Sequence, residues 1–444
     1  MAVLESATVE HHLGRYTARR EGLSGEPGFL RELREAGMEA FRSRGFPSRR
    51  DEEWRATPVR GLAELPFRTL DRDGDGLSPA TLEAAGLGLP GALVVLVNGR
   101  FHPELSRGLD VDGVEIGSLA ERVRQDPATV EAHLGRHADA SRNPFVALNQ
   151  ALWADGAFIR VAAGAEVPVP VQILHLVKDP GEVGVSDPRT LVLVEEGARL
   201  RLVEGYAGPA GAVYWTNPVT EIVVGSGAEV RHHKVQREGD AAFHVATIQA
   251  QVGHAGVFSS HSISLGGRLV RNDLRVVLGA EGGDCTLDGL YLLSGSQHED
   301  NHTFIDHARP HCASRELYKG ILDGESRGVF HGTVLVRADA QKTDAHQANR
   351  NLLLSDDALV DTQPNLEIFA DDVKCAHGAT VGQLEEAELF YLRSRGLDPA
   401  EARRLLIHAF AAEILRRLPL EPLREALESE LATRLHRFAG EEGR

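Results

Sequence analysis

The sequence predicts a mainly β protein: a parallel β-helix core flanked by an N-terminal α/β region and a C-terminal α-helical region. Three observations predict it. Between residues 143 and 382 helical periodicity is scarce, and short β-rich runs punctuated by glycine take its place, among them FIRVAAG, LVLVEEGARLRLVEG, TEIVVGSGAEVRHHKV and GVFHGTVLV. A glycine-plus-small-residue turn followed by a strand recurs at Gly164-Ala165, Gly197-Ala198 and Gly227-Ala228, a repeat of roughly 30 residues, inside the 20–50-residue range of repeat folds. No helical segments separate these strands, so successive coils must stack directly and bury their inward residues against one another. A sandwich or barrel is the alternative that such runs also permit.

The elements follow in order. Residues 1–142 form the N-terminal mixed α/β region. Phe29, Leu30, Leu33 and Phe41 recur at helical spacing within 26–56, and 65–90 is broken by Asp, Gly and Pro. The run ALVVLV (Ala92–Val97) reads as a short buried strand closed by the Asn98-Gly99 turn, and 119–133 reads as helical. The β-helix core spans 143–383. From 384 to 444 the chain turns helical: Asp398 is a good N-cap, with Pro399 in the first turn and Glu401 three residues after the cap. Leu405, Leu406, Ala409, Phe410, Ile414 and Leu418 make one apolar stripe, and Leu423, Leu427, Leu431 and Leu435 a second. Such stripes either pack on each other and the β core or dock a partner.

Composition narrows the function. Of 444 residues, 48 are Lys or Arg and 65 Asp or Glu, a net charge of −17, which argues against general nucleic-acid binding. No apolar run is long enough for a membrane span, and the first residues lack an apolar signal core, so a cytoplasmic protein is expected. The three cysteines, Cys285, Cys312 and Cys375, are too few for a four-thiolate zinc or iron–sulfur site within one chain. A G-x-x-x-x-G-K-[ST] loop is missing, so ATP hydrolysis is expected of a partner and not of this chain.

Two short motifs are set aside. DRDGDG (71–76) matches the first half of a calcium loop, but its twelfth position is Leu82 where a bidentate Glu is needed. HEDNH (298–302) matches the zinc-protease pattern HExxH, which requires a helix. Its flanks read as strand, which would hold His298 and His302 about 13 Å apart and turn Glu299 to the opposite face. The expected role is a polar rung, with His307 and His311 as further surface groups.

The constellation that points to chemistry is Cys375 and His377. Two residues apart on a strand, they share a face, so a thiol and an imidazole are presented together as half of a soft-metal site. A half-buried Cys beside a hydrogen-bonded His is the other reading of that spacing. Around them, Ala340-Gln341-Lys342-Thr343, Asn351-Leu352-Leu353-Leu354-Ser355, Pro364-Asn365-Leu366-Glu367-Ile368, the run from Ala370 through Cys375-Ala376-His377-Gly378 to Gly382, and Phe390-Tyr391-Leu392-Arg393-Ser394-Arg395-Gly396 resemble the SufB/SufD family of iron–sulfur cluster assembly proteins. Glu52-Glu53-Trp54-Arg55 and Val97-Asn98-Gly99-Arg100-Phe101 fit as well.

The resemblance implies a right-handed β-helix and a non-catalytic subunit of a complex with a SufB-like paralogue, joined through the β-helix edge, and with the SufC ATPase. The Cys-Ala-His-Gly run is similar to the SufD branch. Ser355-Asp356-Asp357-Ala358-Leu359-Val360 lacks the sulfur-handling cysteine that the SufB branch carries after its LLLS-like run. By resemblance, His377 is an interface group and candidate transient ligand to iron, Cys375 is accessory, and Leu405, Leu406, Phe410 and Ile414 dock SufC. No cofactor is expected to stay on this chain alone. A nascent cluster would be shared with the paralogue, and binding of a reduced flavin in the complex is left open. A homodimer is expected when the chain is isolated. The alternatives are a SufB-like scaffold that holds the cluster itself and a β-helix carbohydrate-active enzyme using Asp284, Asp288, Asp300 and Asp306.

Overall fold

A computed structural model describes residues 2–21, 25–70, 77–178, 181 and 183–438. The DRDGDG segment lies outside them. The glycine turns are where the coil changes direction. Gly164, Gly197 and Gly227 take φ of 71°, 66° and 64°, the left-handed region that glycine enters without a Cβ clash. The turns also stack: the Gly164 amide donates to the Glu196 carbonyl, Gly197 to Ser226 and Gly227 to His254. The small residues Ala198 and Ala228 that follow point into the core and are fully buried.

Two sheets result, and beyond residue 157 the main strands alternate between them, while the short strands Gly184–Ser186 and Tyr214–Thr216 share the first sheet with the strands that follow them. One runs from Val114–Ser118 and Ala157–Val161 through Arg189–Val194, Val219–Val224, Phe243–Val252, Leu269–Leu278, His298–His307 and Arg327–Val336 to Leu359–Ile368. The other runs from Arg100–Phe101 and Ala92–Val97 through Val171–Leu176, Arg199–Ala207, Glu229–Gln236, Val257–Ser264, Asp284–Leu293, Ala313–Leu322 and Asp344–Leu353 to Lys374–Gly382. The coils make a parallel β-solenoid of about eight turns. The sheets begin upstream of residue 143, because Ala92–Val97 pairs in parallel with Val171–Leu176 as the first strand of its stack.

Register turns the stack into columns. Val192, Ile222, Ala250, Val276, Ile305 and Val334 are successive ladder partners, and all are buried. The interior also holds polar side chains, several of them paired with one another. Glu204 meets His232 Nε2 at 3.0 Å and accepts from Thr220 at 2.9 Å. Lys234 bonds Asn272, Glu299 accepts from Asn301 at 3.1 Å, and Glu316 accepts from Gln347 at 2.7 Å. Burial pushes both Glu299 and Glu316 up to about 7.

The two ends differ. The first is closed by antiparallel partners, Arg100–Phe101 on Ala92–Val97 and Val114–Ser118 on Ala157–Val161. At the other, Leu359–Ile368 and Lys374–Gly382 each pair on one side only among the described residues. The N-terminal region packs on the outer face of the first sheet through Phe41, Trp54, Phe67, Phe145 and Trp215. A buried ion pair fixes it there: Arg189 donates to Glu221 at 2.5 Å, and Glu221 also accepts from the amides of Gly135, His137 and Ala138. The helices Pro399–Leu415 and Glu421–Phe438 lie across the outer face of the second sheet. Leu418 and the stripe Leu423, Leu427, Leu431 and Leu435 are buried there with Val235, Ile263 and Leu290.

The expected surface role of His307 is corrected. It is fully buried, with Nε2 2.9 Å from Ser314 Oγ, because its even spacing from inward-facing Glu299 places it on the interior face. Burial holds its imidazole down at about 4.

Two tests follow from this architecture. Glu221→Leu leaves the Arg189 guanidinium buried without its counter-ion and should cost about 3–5 kcal/mol, with Arg189→Met in the same chain recovering part of it, read as urea midpoints. Glu299 and Glu316 keep protons in the folded chain that the unfolded chain releases near its ordinary 4.5. Their contribution is therefore complete below that pH and is lost as pH rises through about 7. Urea titrations across that window should slope downward with pH, and the Glu299→Gln, Glu316→Gln chain should flatten the slope.

Candidate functional site

Strand alternation positions the predicted pair. In the last strand, Cys375 is the ladder partner of Ala345 and His377 that of Gln347, and both of those partners are buried inside the solenoid. Cys375 and His377 therefore occupy inward-facing positions, but no further coil among the described residues covers them. Cys375 is half-buried against the apolar core, continuing the column of Cys285, Ser314 and Ala345. His377 is exposed, with no hydrogen-bond partner among the described residues.

The electrostatics distinguish the two groups. Burial pushes the Cys375 thiol up, with the Ala345 backbone amide working against that and Asp344 adding to it. With no neighbouring cation to favour the thiolate, Cys375 alone is a neutral thiol near pH 7. Among the described residues, no group of three or more His, Cys, Asp or Glu side chains is placed to hold a metal ion. What this end offers is one open imidazole and one thiol, on a shared face, at an unpaired strand edge.

Apolar side chains surround that edge. Leu359, Ile368, Phe369 and Val381 are exposed on the last coil, Phe369 at 66%. The helix that follows, Glu386–Ser394, buries none of its residues and exposes Phe390 at 74% and Tyr391 at 56%. Unpaired backbone groups combined with exposed large apolar residues mark a surface suited to a protein partner.

The four predicted docking residues separate. Leu405 is exposed at 47%, Leu406 and Phe410 are half-buried, and Ile414 is fully buried against the second sheet. Ile414 is thus out of reach of a partner while that packing holds. The Phe410 ring lies under the Lys319 ammonium at 3.8 Å, and Lys319 donates to the Phe410 carbonyl and to Glu413.

The other candidates are structural. HEDNH lies on the strand His298–His307, where Glu299 points inward and Asp300 outward. Asp300 accepts from Arg271 at 2.6 Å and from Thr57 at 2.5 Å, and His298 Nε2 lies 3.0 Å from Thr57 Oγ1. These contacts tie the N-terminal region to the sheet. The four acids proposed for sugar chemistry do not face one another. Asp284 and Asp288 lie on the second sheet, Asp300 and Asp306 on the first, and Asp288, Asp300 and Asp306 are engaged by Arg417, Arg271 and Arg337. The sequence reading missed the inward-facing Glu316 and Gln347 beneath His377. Their signal is the register of successive coils, which depends on turn lengths that vary along the chain.

The comparisons agree with this geometry. The family profile described as SUF system FeS cluster assembly, SufBD core domain, matches residues 176–410, and the SufBD protein N-terminal region matches 10–173. An iron–sulfur cluster assembly SufBD family protein of Synechocystis is 36% identical over 92% of each chain. The iron–sulfur cluster assembly protein SufD of Escherichia coli is 31% identical over 88% of this chain and 90% of its own. Protein ABCI7, chloroplastic, of Arabidopsis thaliana is 32% identical over 89% of this chain and 84% of its own. The SufBD core profile covers more than half of the sequence, and the chain belongs to the SufBD family of iron–sulfur cluster assembly proteins.

Proposed function

We propose that the chain is the SufD-type, non-catalytic subunit of a cluster-assembly complex. It joins a SufB-like paralogue through the open solenoid edge and lends His377, with Cys375 accessory, to a site that the paralogue completes. The observation that carries this reading is the exposure of His377 on the inward face of an uncovered last coil. A second solenoid continuing the ladder would cover the apolar residues of that coil and enclose the imidazole at the boundary.

The nascent cluster is cargo. An imidazole offers iron a borderline nitrogen donor, and a thiol becomes a strong sulfur donor once a metal displaces its proton. Two donors hold such a cargo weakly by themselves, which suits a site that must release it. The scaffold reading is less well supported. The segment 355–360 holds no cysteine, and Cys285 and Cys312 are buried with thiols pushed up by desolvation.

A SufC-type ATPase would dock on the C-terminal helical region, at Leu405, Leu406 and Phe410 together with the exposed Phe390 and Tyr391. In isolation, the same open edge suits pairing with a second copy of this chain. No helix among the described residues is long and apolar enough to cross a membrane.

Reconstitution with the two partners tests both surfaces. His377→Ala should leave the complex assembled and slow cluster formation about tenfold or more, and Cys375→Ser should slow it less. Unchanged cluster formation by His377→Ala would remove the proposed role. Placing Asp at Phe390, Tyr391 and Leu405 together should weaken ATPase capture by about tenfold or more in a pull-down series, since buried aromatics dominate interface energies. It should leave pairing with the paralogue intact.

A further inference from the structure

We propose that Gln347 is a positioning residue for His377: held by Glu316, it offers its amide oxygen to the imidazole N–H and so fixes which ring nitrogen faces the partner. This rests on the function proposed above for His377.

Four observations carry it. Gln347 is the ladder partner of His377, directly beneath it on the inward face, one strand spacing of about 4.8 Å away. Its side-chain nitrogen is committed, donating to Glu316 Oε2 at 2.7 Å, and this turns the amide oxygen away from Glu316. That oxygen, Gln347 Oε1, is buried and has no hydrogen-bond partner. Finally, the room the amide occupies is left by a glycine of the facing sheet. A Cβ on Gly332 would stand 2.3 Å from Gln347 Nε2 and 3.0 Å from its Cδ.

Buried polar atoms are nearly always paired, so a committed amide with an orphaned acceptor is suited to a donor that arrives later. His377 is the neighbouring ring without a partner, and being exposed it can turn. A neutral imidazole carries one N–H; when that N–H is donated to Gln347, the lone pair of the other nitrogen is directed outward. Ligating histidines are commonly oriented in this way by an acceptor behind the ring. An amide, unlike a carboxylate, provides the acceptor without adding negative charge that would favour the protonated ring.

The test uses the full chain labelled with nitrogen-15 in histidine, alone and joined to the SufB-like paralogue, with His377 assigned by comparison with His377→Ala. Ring nitrogen shifts report the tautomer. In the wild-type chain one tautomer of His377 should exceed the other by about fivefold or more beyond the Gln347→Met chain, the equivalent of one net hydrogen bond. Gly332→Ala keeps Gln347 but displaces its amide, and should show the same loss of bias. A tautomer ratio that is the same in wild type, Gln347→Met and Gly332→Ala, both alone and in the complex, overturns the proposal. Cluster formation by His377→Ala is scored separately. Slowed formation with an unchanged tautomer ratio refutes the positioning role and leaves the proposed function standing. Unslowed formation with a shifted ratio refutes the proposed function and leaves the hydrogen bond standing.

Discussion

Everything in this molecule depends on the hydrogen-bonded ladder between one coil and the next. A strand such as Leu269–Leu278 exchanges bonds with Phe243–Val252 on one side and His298–His307 on the other, so neither side presents a free edge. The interior columns, the stacked glycine turns and the buried polar pairs all follow from that repetition. A ladder must also end. At the start of the sheets the end is closed by antiparallel strands, whereas Leu359–Ile368 and Lys374–Gly382 leave theirs open. Capping of terminal coils is the usual remedy for such an edge. Here the uncapped coil carries Cys375 and His377, so the structural liability and the chemically equipped surface coincide.

Much of the fold was legible because its signals are local. Gly197-Ala198 and Gly227-Ala228 announce themselves: a left-handed turn favours glycine, and the buried position after it holds a small side chain. Asp398-Pro399 likewise marks a helix start, and the Asp398 side chain accepts from the Glu401 amide at 2.9 Å. What was not legible is register. ALVVLV reads as a strand, but nothing local says that it pairs with Val171–Leu176, more than 70 residues onward. His307 reads as a surface residue and Glu316 draws no expectation, because only the register of the coil sets them inward. The same gap concealed Gln347. The pair Cys375 and His377 could be read because two residues on one strand share a face whatever the register.

The C-terminal helices show a second limit of pattern reading. An apolar stripe says that a face will be covered but not by what. In this chain the stripe from Leu423 to Leu435 is covered by the second sheet, and Ile414 with it, while Leu405 on the same helix as Ile414 remains open. Charged contacts fix the helix more narrowly than the stripe does. Glu413 is shared by Lys319 and Arg350, which are ladder neighbours on the outer face. The strand that carries Arg350 is the one that pairs with the last strand. The helix Pro399–Leu415 is thus fastened one strand away from His377, and both belong to one ladder.

The chemistry at the open edge follows from what burial does to each group. A thiol that loses hydration without gaining a cation holds its proton more tightly, so Cys375 is a poor nucleophile and a poor ligand until a metal competes for that proton. The His377 imidazole, by contrast, is exposed on the uncovered face. Because His377 stands at the end of a ladder, any group that adds the next coil also excludes water from the imidazole and lowers the local dielectric. Both effects strengthen whatever polar contact the imidazole makes while the edge is covered. Covering the edge and changing the surroundings of the imidazole are in this way the same event.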